Sequence, residues 1–306
     1  MGRRREPRRA TQPVGAESYY GRPILKEPTW TWEIPVYFFA GGTAGVSAVL
    51  AAAGRLSGNE QLARRATFVN LAAITVSPPL LISDLGRPDR FLNMLRVFKP
   101  TSPMSVGTWV VSGAGTAAGV AGACELLGIL PRVRTAAQTV AALLGPFLST
   151  YTAVLVADTS IPAWHEARRE LPFVFAGSAS ASAGGIVAAL TPPEAAGAAR
   201  RLAVTGALLE LAATEVMERR LGFLGEPYHQ GEAGMFAKLS KALSAAGAAV
   251  MAIGGRRRGG AVLGGALLAA GSAADRWAVY RAGFQSARDP RYVVQPQRAR
   301  VRERAQ

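Results

Sequence analysis

Along the chain, long uncharged windows alternate with short stretches where charge and proline collect. A helix needs roughly 20 apolar residues to cross the hydrocarbon core of a bilayer. Windows of that kind fall at 34–54, 66–83, 102–130, 135–157 and 171–193. Three more, at 202–217, 233–255 and 259–280, are rich in Ala, Gly and Leu but carry charge: Glu210 and Glu215, Lys238 and Lys241, and Asp275 and Arg276. Arg256, Arg257 and Arg258 cap the turn between the last two. The pattern predicts an all-α integral membrane helix bundle of about eight transmembrane helices in an up-and-down layout. A soluble helical region from 202 onward is the alternative. Outside the bundle, 1–33 reads as a polar, basic tail and interfacial segment with Tyr19, Tyr20, Trp30 and Trp32 as an aromatic belt, and 281–306 as a mobile basic tail. Gly41, Gly42 and Gly45 in the first window allow close helix contact, and Pro78-Pro79 should kink the second near its end.

Composition sharpens this picture. The chain is 49% hydrophobic and only 18% charged, with its charges crowded between the windows, as in a polytopic membrane protein. A net charge of +15 invites a nucleic-acid reading, but the surplus lies in the tails and in loops flanking apolar spans. Anionic membrane lipid is the better partner for it. An even helix count puts both termini on one side. Lys and Arg divide equally between the loops of the two faces, so only the tails break the tie, in favour of cytoplasmic termini at the cell membrane.

The chemistry is bounded by what is missing. Cys124 is the single cysteine, and His165 and His229 both lie outside the windows. No haem or iron–sulphur cluster is therefore expected in this chain, and no cluster of residues has metal-ligand spacing. Any electron transfer would run from a partner's redox centre to a lipid-soluble carrier. In the up-and-down layout Glu33, Asp84, Tyr151, Asp158 and Trp164-His165-Glu166 share one face. Together they suggest a pocket near one membrane surface, with donors for a quinone's oxygens and a route for its protons. Plainer readings stand beside this: Glu33 as an interfacial residue at a helix N-terminus, Tyr151 as packing, His165 as part of a solvated cluster with Arg168, Arg169 and Glu170, and Asp84 pairing with Arg87. Glu210, Glu215 and Asp275 read either as half-buried partners of arginines or as a proton path. The path reading makes the chain a transporter or proton-conducting protein.

The stretch from Asp84 to Trp109 organises the rest, since its mix of charge, proline and bulky apolar residues suits a surface that another protein touches. Its ends, Asp84-Leu85-Gly86-Arg87-Pro88 and Ser102-Pro103-Met104-Ser105, resemble the signature of the NrfD/PsrC-type membrane subunits of polysulphide-reductase-type enzymes. The resemblance runs from about Tyr19 to Gly185, through Lys26-Glu27-Pro28, Tyr37-Phe38-Phe39-Ala40-Gly41-Gly42, Tyr151-Thr152 and Leu171-Pro172-Phe173. It implies an eight-helix subunit without haem that binds a menaquinone-type quinone at one membrane face. An iron–sulphur, ferredoxin-like subunit would dock there and lead to a molybdopterin-type catalytic subunit. The family's quinone contacts come from the start of the first helix and from a tyrosine late in the fourth, which Tyr151 matches. Where relatives carry histidine or asparagine at the first position, this chain has Trp30, Trp32 and Glu33, so Glu33 or His165 would supply the second contact. On this reading Asp84 and Asp158 belong to the pocket or proton path, and Arg87, Arg90, Arg96 and Lys99 dock the partner.

Overall fold

The computed structural model describes residues 23–305; Tyr19, Tyr20 and the rest of the N-terminal tail fall outside them. Four long helices come first: α1 (Glu33–Leu56), α2 (Glu60–Asp84), α3 (Pro103–Leu127) and α4 (Pro131–Ala157). A short α5 (Pro162–Glu166) precedes four more: α6 (Leu171–Leu190), α7 (Gly197–Leu221), α8 (Gly231–Gly254) and α9 (Arg258–Arg288). The chain closes on α10 (Arg291–Ala305). No strand occurs among the described residues. Among the described residues six helices, α1 to α4, α6 and α8, are long and apolar enough to cross a membrane. The other two long ones, α7 and α9, carry the charges noted above within otherwise apolar runs. The protein is an all-α membrane helix bundle.

Short connections at 57–59, 128–130 and 255–257 force antiparallel neighbours. Asn59 caps α2 by accepting from Leu62 N at 3.1 Å. Gly128 ends α3 at φ 66°, a left-handed conformation that suits glycine. The connection 191–196 lies at the same end as these short ones, whereas the three longest, 85–102, 158–170 and 222–230, lie at the opposite end of the bundle, with the first described residues and α10. Arg288 Nε and Nη2 hold Glu27 there at 3.0 and 3.1 Å, tying the segment ahead of α1 to the end of α9.

Several helices outrun their uncharged windows. α2 starts at Glu60, not 66, and α4 at Pro131, not 135. Arg64 and Arg65 ride exposed on the first turns of α2, because long basic side chains reach the headgroups while the helix continues. Helix α2 also runs through Pro78 and Pro79 to Asp84. Residues 281–288 extend α9, and α10 occupies most of what reads as a tail in the sequence, anchored by the buried Tyr292.

Glycine sets the helix spacing where α1 crosses α4: a Cβ on Gly45 would lie 2.4 Å from the Gly145 carbonyl oxygen. At the short-loop end, Glu125 accepts from Arg55 at 2.7 Å and lies 3.3 Å from Arg134, while Gln138 accepts from Arg55 Nε and donates to Thr67. This buried network clamps α1 to α4 together at one end and leaves their other end to form a cleft.

Candidate functional site

At the long-loop end α1 to α4 splay around a cleft with about 730 Å³ of empty space, open in part to solvent. Its walls are apolar: Ile34 and Phe38 from α1, Pro78 and Leu81 from α2, Val111 from α3 and Leu155 from α4. Phe91 and Met94, from the 3-10 turn Pro88–Leu95, roof it. The organising loop is thus two-sided, because Leu92, Val97 and Phe98 face outward beside exposed Arg87, Arg96 and Lys99. Nothing is described of the Arg90 side chain. Ser102 and Ser105 fasten the loop to α3: Ser102 caps the helix, and the Ser105 hydroxyl accepts from Lys99 N at 3.0 Å and donates to Val97 O at 3.2 Å.

Three groups give the cleft its polarity. Tyr151 of α4 lines it, its ring seated against Gly107 of α3, where a Cβ would come within 2.2 Å of Cε2. Tyr37 of α1 also lines it, fully buried and with no partner for its hydroxyl. A buried hydroxyl left so costs about 1–3 kcal/mol. Asp84 stands at the mouth and accepts from Thr31 N at 3.0 Å and from the Thr31 hydroxyl at 2.8 Å. That same hydroxyl also touches the Glu33 carboxylate.

A wider polar vestibule adjoins the cleft, sharing Trp30, Met104 and Leu155 with it and lined further by Lys26, Glu27, Ser102, Asp158, Ser160 and Trp164. Trp30 stacks on Trp164 at 5.4 Å and meets Phe38 edge-on at 6.3 Å. From α9, Tyr280 donates to the Trp30 carbonyl at 2.8 Å, Val279 O accepts from Trp164 Nε1 at 2.7 Å, and Gly283 leaves room for the Trp164 indole.

Of the residues singled out from sequence, Tyr151 and Asp84 line the cleft, Asp158 lines the vestibule, and Glu33 reaches Asp84 through Thr31. Trp32 and His165 line neither cavity. Trp32 precedes α1 and is 59% exposed; Trp30, two residues earlier, takes the place expected of it. His165 follows the buried Trp164 on α5, about 100° round the helix. Once the larger indole fills the seat at Gly283, the imidazole is left outside, with Nδ1 3.3 Å from Ala157 O. Tyr37 was missed as a site residue although it stands one turn after Glu33, a spacing that puts both on one helix face. Among the described residues no three His, Cys, Asp or Glu side chains gather as a metal-binding group.

The result is a membrane helix bundle with an apolar cleft near one end, walled by two tyrosines and edged by carboxylates, a lining whose chemistry suits an amphipathic molecule. The family model for polysulphide reductase, NrfD, matches residues 25–221, and the chain belongs to that family. Its members are membrane subunits of quinone-linked oxidoreductases that associate with iron–sulphur and catalytic subunits. No curated protein matches the chain.

Proposed function

We propose that this chain is the quinone-binding membrane anchor of a multi-subunit oxidoreductase, passing electrons between a partner iron–sulphur subunit and the membrane quinone pool. The observation that carries the reading is the pairing of Tyr151 with the unpartnered Tyr37 hydroxyl in the wall of one apolar cleft. The cleft is lined mainly by apolar side chains with a few polar groups among them, as small-molecule sites are. A menaquinone-type ring fits the chemistry of that wall, since its faces are apolar and its two oxygens accept hydrogen bonds. When bound, such a molecule supplies two-electron, two-proton chemistry.

The chain's own residues bind, orient and handle protons. Tyr151 donates to one quinone oxygen, and Gly107 sets where its ring lies. Tyr37 offers a second donor deeper in the wall. Glu33, Thr31 and Asp84 at the mouth and Asp158 in the vestibule form the path by which protons reach water. The outer face of the 85–102 loop, with its exposed apolar side chains among Arg87, Arg96 and Lys99, suits a docked iron–sulphur subunit linked to a molybdopterin-type catalytic subunit.

The test is to purify the chain with its partners and compare wild type with Tyr151→Phe. Quinone-linked turnover should fall by about 10²-fold or more, the usual effect of losing a positioned proton donor, while the variant still copurifies with an iron–sulphur protein. Full turnover in the variant would remove Tyr151 from the site; the absence of any iron–sulphur partner would remove the anchor reading.

A further inference from the structure

We infer that the C-terminal half of the bundle contains a second functional site: a proton half-channel running from the long-loop face to one exchangeable proton shared by Glu210 and Asp275 beside Arg276. It does not depend on the quinone reading.

Glu210 on α7 is 2% exposed, Asp275 on α9 is 6% exposed and Arg276 is fully buried. The three interact by charge. Asp275 is paired with Arg276 and Glu210 lines the same cavity as Asp275, so with one guanidinium for two carboxylates full ionisation would leave a net negative charge inside the membrane bundle. Such a charge is costly, and a single bound proton removes it. The bonding is incomplete in the way that a proton site requires. Ser240 and Ser244 of α8 both donate to Glu210 Oε1, at 3.1 and 3.2 Å, while Oε2 has no partner. Asp275 Oδ2 also lacks a hydrogen bond, though it is ion-paired with Arg276 Nη1 at 3.7 Å, and neither Nε nor Nη1 of Arg276 makes a hydrogen bond. Arg276 is held instead by Phe175 of α6, whose carbonyl accepts from Nη2 at 2.8 Å and whose ring lies 3.7 Å beneath the guanidinium.

A route outward is present. Glu210, Thr214 and Glu218 follow one another at four-residue intervals on one face of α7 and line a single narrow cavity, with room for about one water molecule, together with Tyr228, Ser240, Lys241 and Asp275. Over eight residues a helix rises about 12 Å, which takes the cavity from the middle of α7 toward its end. There Glu218 pairs with Lys241 at 2.6 Å, and half-exposed His229 stands 3.6 Å from it. His229 and Lys241 thus meet water, and Glu218 passes protons inward. Glu215 takes no part: it is exposed and pairs with Arg219 on its own helix at 2.7 Å.

The test is infrared spectroscopy of the full-length protein in liposomes at neutral pH, with transfer from H₂O to D₂O. Wild type should show a protonated-carboxyl band that shifts on deuteration soon after mixing. Because the proton is shared, Glu210→Gln and Asp275→Asn should each abolish the band alone, since either leaves one carboxylate balanced by Arg276. Filling the cavity with Thr214→Phe should keep the band and slow its deuteration at least tenfold. A wild type without the band, a band unmoved by D₂O, a band that survives both single variants, or one suppressed by added sodium ions at constant pH would each overturn the inference. The first two readings need only wild type, so they stand even if a variant fails to fold.

Discussion

At the scale of single residues, the cleft depends as much on what is missing as on what is present. Gly107 contributes no side chain, and Tyr151 occupies the space that one would fill. Gly107→Ala should therefore displace the phenol, at a cost typical of overpacking, about 1–3 kcal/mol. Quenching of tryptophan fluorescence by a quinone analogue, with Trp30 as the reporter in the cleft, should weaken to at least the extent seen in Tyr151→Phe. Gly119→Ala on the same helix, where a Cβ would meet nothing within 4 Å, should change neither binding nor melting temperature. Tyr151 and Asp84 could be found from sequence because each is a polar group closing an apolar run. Trp30 and Trp32 could not be told apart, since two aromatic residues just ahead of a helix look alike until α9 provides the Tyr280 hydroxyl that fixes one of them. The exclusion of His165 likewise depends on Gly283, more than a hundred residues away in sequence.

At the scale of elements, apolar windows mark the middles of the long helices because the bilayer demands them. Their ends are hidden where arginines extend a helix into the headgroup layer. The helix α10 was hidden for another reason: its apolar anchor is small, chiefly Tyr292, which meets Phe223 at 5.1 Å and donates to Glu226 at 3.2 Å. Asp289 starts it, accepting from Arg291 N at 2.9 Å and pairing with that guanidinium at 2.7 Å. The Arg291 hydrogen bonds hold the Asp289 carboxyl below its ordinary value. Its contribution is complete above the usual carboxylate pKa of about 4 and is lost as pH falls through the lowered value. Amide hydrogen exchange across 291–305 should thus accelerate as pH drops below about 4, after correction for the intrinsic rate. Protection unchanged at pH 3 would show that Asp289 contributes nothing to docking α10.

At the scale of the whole molecule, the family match ends at residue 221, yet the cleft inside it is completed from beyond that limit. Val279, Tyr280 and Gly283 hold Trp164 and Trp30 in place, and Arg288 holds Glu27. A chain stopped after Leu221 should still insert in the membrane but lose binding of a quinone analogue, as read by equilibrium dialysis. Adding the 222–306 segment as a separate polypeptide should restore it, and undiminished binding by the shortened chain would show that α9 is not needed. If α9 is needed, biosynthesis leaves the cleft unfinished until α9 enters the bilayer. A polypeptide interrupted before α9 would already span the membrane yet hold no ligand in the cleft.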